Sequence, residues 1–196
     1  MVEYRELKAW EIEPALFARF IRHQVVTQCW RKENGIWVIK DDPFVDDWTE
    51  EEYRELVRCL KNTVAAGGFV YGAFVNHALK GFVSVESGYL DGPCRYMDLS
   101  SIHVSEDCRG QGIGRALFLA AKRWAKSQGG EALYISAHSA VESQAFYAKM
   151  GCVDARQYNP EHVRKEPWDR QLECPLIEKD IGQTLAELTG CQEERL

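Results

Sequence analysis

The amino-acid sequence predicts a mixed α/β (α+β) fold with a mostly antiparallel central sheet and helices on both of its faces. Two β-rich runs are separated by Asn76 and His77, which is typical of an antiparallel hairpin, and strand and helix patterns then alternate along the chain. Hydrophobic residues make up 45% of the 196 residues, enough for one sizeable core. We expect a single domain over residues 1–175 and a C-terminal tail over 176–196 that could form a short helix.

The first part of the chain is expected to run strand, helix, irregular segment and helix. Residues 2–8 alternate in hydrophobicity like a strand, and residues 12–22 have apolar side chains at helical spacing. Residues 23–48 show neither period, so we expect an irregular segment there. Thr49 opens a T-x-x-E capping box, which predicts a helix that ends near residue 66.

The second part alternates strands with helices. A glycine cluster precedes a run of apolar residues at helical spacing, an uninterrupted apolar run is typical of a buried strand, and glycines follow both predicted helices. The predicted strands are 69–75, 79–87, 96–104, 132–137, 152–158 and 170–174, and the predicted helices are 113–128 and 141–149.

The charge, the cysteine spacing and the hydrophobicity of the chain argue against several classes of protein. The formal net charge is −6 and no segment concentrates Lys and Arg, so a nucleic-acid partner is not expected. The seven cysteines contain no C-x-x-C pair, which favours reduced thiols. The first residues are charged, and no apolar stretch reaches the roughly 18 residues that a membrane span needs. We therefore expect a cytoplasmic protein without a membrane partner.

The most specific local signal is RGQGIG, from Arg109 to Gly114, between a predicted strand and a strongly amphipathic helix. Glycines let the chain turn beside a ligand, and the free N–H groups of a helix start attract phosphate, so Arg109 and this turn suit a pyrophosphate. A dinucleotide fingerprint would need glycine at position 115, which is Arg115, and the Walker G-K-[ST] ending is absent. The alternative is a glycine-rich turn that only starts the helix.

A second motif, SQAFYAKMGC, follows from Ser143 to Cys152. Together with R-x-x-G-x-G, it resembles the GNAT N-acetyltransferase superfamily, and the resemblance covers roughly residues 69–158. It implies a GNAT-like domain that uses acetyl-coenzyme A (acetyl-CoA) as co-substrate and no metal. Where many members have Asn seven residues before the motif tyrosine, this chain has Ala140, so it lacks one side chain that contacts the cofactor in those members.

The resemblance implies a cofactor site made largely of main chain. The glycine turn would hold the pyrophosphate, and the end of the preceding strand, usually bulged in the family, would pair with the pantetheine arm and polarise the thioester carbonyl. The implied cofactor-binding residues are Ile102, His103, Val104, Arg109, Gly110, Gln111, Gly112, Ile113, Gly114, Arg115 and Ser143.

Tyr147 matches the family tyrosine beside the coenzyme sulfur, where a phenol can protonate the departing thiolate. Ordinary core packing is the alternative role. The attacking amine is mostly protonated at neutral pH, so a base is also required, and Asp98 is the first candidate because it lies in the strand beside the cleft. A solvated or capping carboxylate is the alternative for Asp98, and Glu86 and His138 are weaker candidates for the base.

In the superfamily the acceptor pocket is formed by the early helices and the segments near them, here residues 23–48. Tryptophans and aspartates in this segment could form a recess for a cationic amine. The alternative, which such charge runs favour, is that the tryptophans anchor a loop and the aspartates are solvated or begin the next helix. These residues are Trp30, Trp37, Trp48, Asp41, Asp42, Asp46 and Asp47.

The function predicted first is acetylation of a small amine. Acetylation of protein N-termini or lysines, and a sensor that binds acyl-CoA without turnover, are the alternatives. A homodimer is expected by analogy with the superfamily.

Overall fold

The computed structural model describes residues 1–176, so the predicted tail and its short helix lie, apart from Leu176, outside the described residues. The helices are α1 (Glu50–Ala65), α2 (Ile113–Ser127), α3 (Val141–Lys149) and α4 (Pro160–Lys165). The strands are β1 (Val2–Glu6), β2 (His23–Glu33), β3 (Ile36–Asp47), β4 (Phe69–Val75), β5 (Ala78–Val85), β6 (Tyr96–Asp98), β7 (Ser101–Val104), β8 (Ala132–Ala137), β9 (Val153–Asp154) and β10 (Arg170–Pro175). Between residues 1 and 176, no helix is both long enough and apolar enough to span a membrane.

Two four-stranded sheets form the centre of the molecule. The first has the strand order β1-β4-β5-β7 and is antiparallel throughout, and the second has the order β6-β8-β10-β9, with β6 and β8 parallel. Helix α2 packs on one face of the first sheet through the fully buried Leu117 and Phe118, while Phe82 faces a second core under α1. The predicted mixed, mostly antiparallel fold with helices on both faces is confirmed.

The prediction of one strand over residues 96–104 was wrong in one respect that matters for function. Leu99 and Ser100 interrupt it, so that β6 pairs with β8 and β7 pairs with β5. Leu99 N–H still donates to the carbonyl of Tyr134 at 2.9 Å, which keeps the sheets joined at the break. Beyond the break the sheets diverge, and a cleft opens between β7 and β8.

The helix predicted over 12–22 is only a short 3₁₀ turn, Pro14–Phe17. In a longer helix, the N–H and C=O groups of these residues would bond to one another, but here some of them form hydrogen bonds with residues distant in sequence. The amide of Ile21 donates to Ser105 Oγ at 2.9 Å, and Lys80 Nζ donates to the carbonyl of Arg19. The apolar spacing therefore reflects burial against the first sheet rather than a regular helix.

The segment 23–48, expected to be irregular, is a long antiparallel hairpin formed by β2 and β3. Its turn contains Asn34 and Gly35 with φ values of 49° and 84°, the Asn-Gly pair that strongly favours such turns. The hairpin is anchored at the start of α3, where Trp30 N–H donates to the carbonyl of Ser139 at 2.8 Å and Cys29 forms a β-bridge with Ala140. These contacts place the hairpin beside the C-terminal end of β8, where it borders the cleft.

The strand predicted over 152–158 contains only two strand residues and is followed by the unpredicted helix α4. The side chain of Asn159 caps α4 by accepting from the amides of Glu161 and His162, and Pro160 occupies the first turn. Asn followed by Pro is a recognisable helix start. The remaining elements agree with the predictions, including the capping box at Thr49.

Candidate functional site

A cleft of about 1060 Å³ lies between the diverging strands β7 and β8. It is lined by the glycine turn, α3, the hairpin and α4. Of the predicted site residues, the lining includes Asp98, Ile102, His103, Val104, Arg109, Gly110, Gly112, Ile113, Gly114, Arg115, Ser143 and Tyr147. Gln111 is exposed and lies outside this lining. The structure thus brings the two sequence motifs together, while the role of each residue stays a prediction.

The glycine turn leaves the N-terminus of α2 open to the cleft. Gly110 and Gly112 have φ values of +73° and +82°, which other residues rarely adopt, and Gly112 is the N-cap of α2. No side chain caps this end, and the first turn contains no acidic residue. Unpaired amides and the helix dipole make the site suitable for an anion, and the nearby guanidinium of Arg109 strengthens it.

Strand β7 offers one edge to the cleft, because its other edge pairs with β5. Its exposed main-chain groups can therefore pair with an extended ligand, as an added strand would. The His103 ring packs against Trp48 with the centroids 4.6 Å apart, and burial together with the charges of Arg22 and Arg109 lowers its pKa to about 3. His103 is consequently neutral and contributes to the cleft through its backbone and its ring packing.

Tyr147 lies on α3 and is 8% exposed. Its ring packs against Phe118 and Phe146, with centroid separations of 6.3 and 5.3 Å. Burial raises the pKa of Tyr147, and Cys152 and Asp169 raise it further. The hydroxyl therefore stays protonated at all ordinary pH values and can donate to a group in the cleft.

Ala140, the position where the chain departs from the family motif, is fully buried as the N-cap of α3. It packs with Val26 and Cys29 of the hairpin. Nearby, the Gln144 amide donates to the carbonyls of Ala137 and His138 at 3.1 and 2.9 Å. The position is thus part of a hairpin contact and presents no polar side chain to the cleft.

The first candidate for the base, Asp98, is paired with a histidine that the sequence analysis missed. Asp98 Oδ2 lies 3.0 Å from Nε2 of His162 on α4, and this hydrogen bond raises the pKa of His162. Both side chains line the cleft. The two residues are 64 positions apart, and the only sequence signal for His162 was the Asn-Pro start of α4.

The two weaker candidates have different surroundings. Glu86 lies outside the cleft lining and accepts from Thr63 Oγ1 at 2.8 Å and Ser100 Oγ at 2.6 Å. His138 lines the cleft, but its Nδ1 accepts the amide of Ala140 at 3.2 Å and burial lowers its pKa.

Asp169, which the sequence analysis did not single out, also lines the cleft. It immediately precedes β10, whose first residue pairs with Ala137 at the end of β8. Ser136 Oγ donates to Asp169 Oδ2 at 3.2 Å. Burial, followed by the charge of Glu166, raises the pKa of Asp169 to about 6. A half-buried carboxyl thus titrates near neutral pH inside the cleft.

The pKa shift of Asp169 predicts a pH-dependent effect of Asp169→Asn on stability. Folding raises this pKa from 3.8 to about 6, so the wild type loses stability as the pH rises through this interval. The variant avoids that loss. Two pKa units correspond to at most about 3 kcal/mol, and partial exposure reduces the gain to on the order of 1–2 kcal/mol above pH 6. Urea unfolding from pH 4 to 8 measures it, and a gain that does not vary with pH would contradict the shift.

Of the three tryptophans that could have formed an acceptor recess, Trp48 lines the cleft and the other two do not. Trp48 lines the cleft beside Asp46, which forms an ion pair with Arg22. Trp30 and Trp37 lie outside the lining and face the guanidinium of Arg170 at 5.7 and 5.3 Å. Trp48 follows the end of β3, whereas Trp30 and Trp37 lie nearer the turn at the other end of the hairpin.

The other aspartates of the hairpin also lie outside the lining. Asp41 accepts from Gln28 at 2.9 Å, and Asp42 and Asp47 pair with Arg31 and His23. These pairs join β2 to β3. Within residues 1–176 no group of three or more His, Cys, Asp or Glu side chains could hold a metal ion.

Comparison with solved structures identifies the same fold in several acetyltransferases. Nourseothricin acetyltransferase is 17% identical with a TM-score of 0.65, covering 90% of this chain and 99% of its own. A putative streptothricin acetyltransferase from Bacillus anthracis str. Ames, solved with acetyl coenzyme A, is 17% identical with a TM-score of 0.63 over 89% and 97% of the two chains. The ribosomal-protein-S18-alanine N-acetyltransferase from Escherichia coli is 17% identical with a TM-score of 0.52 over 90% and 94%.

Comparison of sequences gives a family but no individual relative. No curated protein sequence matches the chain. The model of the Acetyltransferase (GNAT) family matches residues 33–152, which is more than half of the chain and includes both motifs of the cleft. The chain therefore belongs to the GNAT acetyltransferase family.

Proposed function

We propose that the protein is a single-domain N-acetyltransferase over residues 1–175 that transfers the acetyl group of acetyl-CoA to a primary amine of a small molecule. One observation supports this most directly. A single cleft connects the open N-terminus of α2, the free edge of β7 and Tyr147 with a recess lined by acidic and aromatic side chains. Such a cleft can hold both substrates in one ternary complex, so the amine can attack the thioester directly.

Each part of the cleft has a distinct task in this proposal. The amides at the start of α2 and the charge of Arg109 bind the pyrophosphate, and the edge of β7 pairs with the pantetheine arm. The amine nitrogen attacks the thioester carbonyl carbon, a C–N bond forms and the C–S bond breaks. Tyr147 donates its hydroxyl hydrogen to the sulfur as the thiolate leaves. The nitrogen gives up its extra proton, which restores the Tyr147 hydroxyl, and coenzyme A and a neutral amide are released.

The lining of the acceptor end favours a small molecule. Gln24, Val25, Asp46 and Trp48 of the hairpin region line this end of the cleft. The carboxylate of Asp46 and the ring of Trp48 offer contacts suited to a compact cationic amine. Two similar structures, described as nourseothricin and putative streptothricin acetyltransferases, are consistent with a small acceptor. Because the ribosomal-protein-S18-alanine N-acetyltransferase has the same fold, protein acceptors should be tested together with small amines.

A rate comparison tests the proposal. The purified protein is incubated with acetyl-CoA and either small primary amines, including diamines, or short peptides with free N-termini, and release of free thiol is followed. We expect kcat/KM for the best small amine to exceed that for every peptide by at least about tenfold. A preference for peptides would indicate a protein acetyltransferase. Acetyl-CoA binding without thiol release from any acceptor would indicate a sensor.

A further inference from the structure

The strongest unassigned feature of the cleft is the carboxylate of Asp169. Within the described residues its one side-chain hydrogen bond comes from Ser136 Oγ to Oδ2, so Oδ1 remains available to a ligand. Asp169 is also within electrostatic range of Tyr147, whose pKa it helps to raise. Asp169 and Tyr147 line the same cleft.

We propose that Asp169 is the general base that accepts the proton of the attacking amine, an inference that rests on the proposed function. A protonated amine binds with its N–H directed to Oδ1 of Asp169, and the proton moves to that oxygen. The freed lone pair attacks the thioester carbon, and Tyr147 donates its proton to the sulfur as the C–S bond breaks. The second proton that the nitrogen loses on becoming an amide restores the Tyr147 hydroxyl. Asp169 then releases its proton to solvent through the open cleft. Ser136 acts as a positioning residue by fixing the carboxylate.

The other ionisable side chains in the cleft are less suited to this role. Asp46 is held in an ion pair with Arg22, and Asp98 is bonded to His162. Nδ1 of His138 already accepts a main-chain amide. Asp98 Oδ1 also has no hydrogen-bond partner, but this atom is buried away from solvent. Asp169 is only half-buried, so its unbonded Oδ1 is the better placed of the two oxygens to meet a ligand in the cleft.

The surroundings of Asp169 suit it to proton transfer near neutral pH. Burial raises the pKa of Asp169 most, and Glu166 raises it further by like-charge repulsion, while the hydrogen bond from Ser136 and the charge of His162 lower it. Tyr147, on the facing helix, is neutral. A carboxyl with a pKa of about 6 is ionised at pH 7 and yet more basic than an ordinary aspartate, as a general base requires.

The test compares two acceptors in the wild type and Asp169→Asn. One is the best alkylamine from the panel, which is mostly protonated at pH 7, and the other is methoxyamine, which is mostly neutral. With saturating substrates we expect the variant to lose at least about tenfold in kcat with the alkylamine and less than threefold with methoxyamine. The fall of wild-type kcat at acidic pH should also disappear in the variant. Asp91→Asn, on an exposed loop outside the cleft, is the matched control.

The possible outcomes separate the role of Asp169 from the proposed function. An active wild type with an equally active Asp169→Asn would overturn the role of Asp169 and leave the function intact. Equal losses with both amines would indicate a structural effect and would also overturn it. A wild type that binds acetyl-CoA but releases no thiol with any amine would overturn the proposed function together with the role of Asp169. Calorimetry with acetyl-CoA verifies that the variant is folded.

Discussion

Tyr147→Phe is expected to lower kcat about a hundredfold while leaving the KM for acetyl-CoA within roughly twofold. A departing thiolate gains from a donated hydrogen bond or proton, and such assistance contributes about 10²–10⁴-fold to a rate. Burial raises the pKa of Tyr147, which makes the phenol a weaker acid and puts the expected loss at the lower end of that range. Initial rates of thiol release at saturating acceptor measure the change.

The variant should fold normally, because no hydrogen bond within the described residues involves the Tyr147 hydroxyl, and the ring packing with Phe118 is retained. Tyr89→Phe is a suitable control, since the Tyr89 hydroxyl bonds to the carbonyl of Gln128 and its side chain lies outside the cleft. If Tyr147→Phe retains full kcat, the tyrosine serves packing alone and the leaving group is assisted by another donor.

Gly112→Val is expected to weaken the binding of coenzyme A by about 10- to 100-fold. At φ +82° a β-branched residue is strained, so either the turn rearranges or the new side chain extends into the cleft. A Cβ there meets no protein atom within 4 Å, which leaves the cleft itself as the space it would occupy. In either case at least one hydrogen bond to a charged phosphate is lost, worth about 1.5–3 kcal/mol. Isothermal titration calorimetry with coenzyme A provides the measurement.

Gly67→Val is the control that separates the effect of backbone strain on stability from the effect of Gly112→Val on ligand binding. Gly67 follows α1 with φ +83°, a Cβ there also meets nothing within 4 Å, and the residue does not line the cleft. Both variants should therefore lose a similar amount of stability, but only Gly112→Val should lose affinity. Equal affinities in the two variants would show that the glycine turn does not hold the diphosphate.

The elements that the sequence predicted correctly are those with local start and stop signals. The capping box at Thr49 and the glycines at 67 and 129 mark helix ends without reference to the rest of the chain. The hairpin of β2 and β3 was not predicted because Val25 and Val45 are both largely exposed. Apolar and polar residues therefore do not alternate along its strands as they would in a half-buried sheet. Asn34 and Gly35 were the available signal for its turn.

The proposed cofactor end of the cleft could be predicted from the sequence more fully than the proposed acceptor end, for a physical reason. In the proposed function, the cofactor end uses two contiguous segments whose main chain would form the site, so a spacing of glycines is enough to predict its position. The acceptor end depends on side chains brought together by tertiary folding. Ser136 meets Asp169 across 33 positions and Asp98 meets His162 across 64, and no local pattern encodes such pairs.

The anchoring of the hairpin at Cys29 and Trp30 has an evolutionary consequence. These contacts hold the hairpin beside the proposed acceptor recess, while the glycine turn and β7 belong to a different part of the chain. In the proposed function, mutations near the His23 and Asp47 ends of β2 and β3 would change which amine is accepted without affecting the binding of the coenzyme. Such a division lets selection diversify specificity on an inherited catalytic framework.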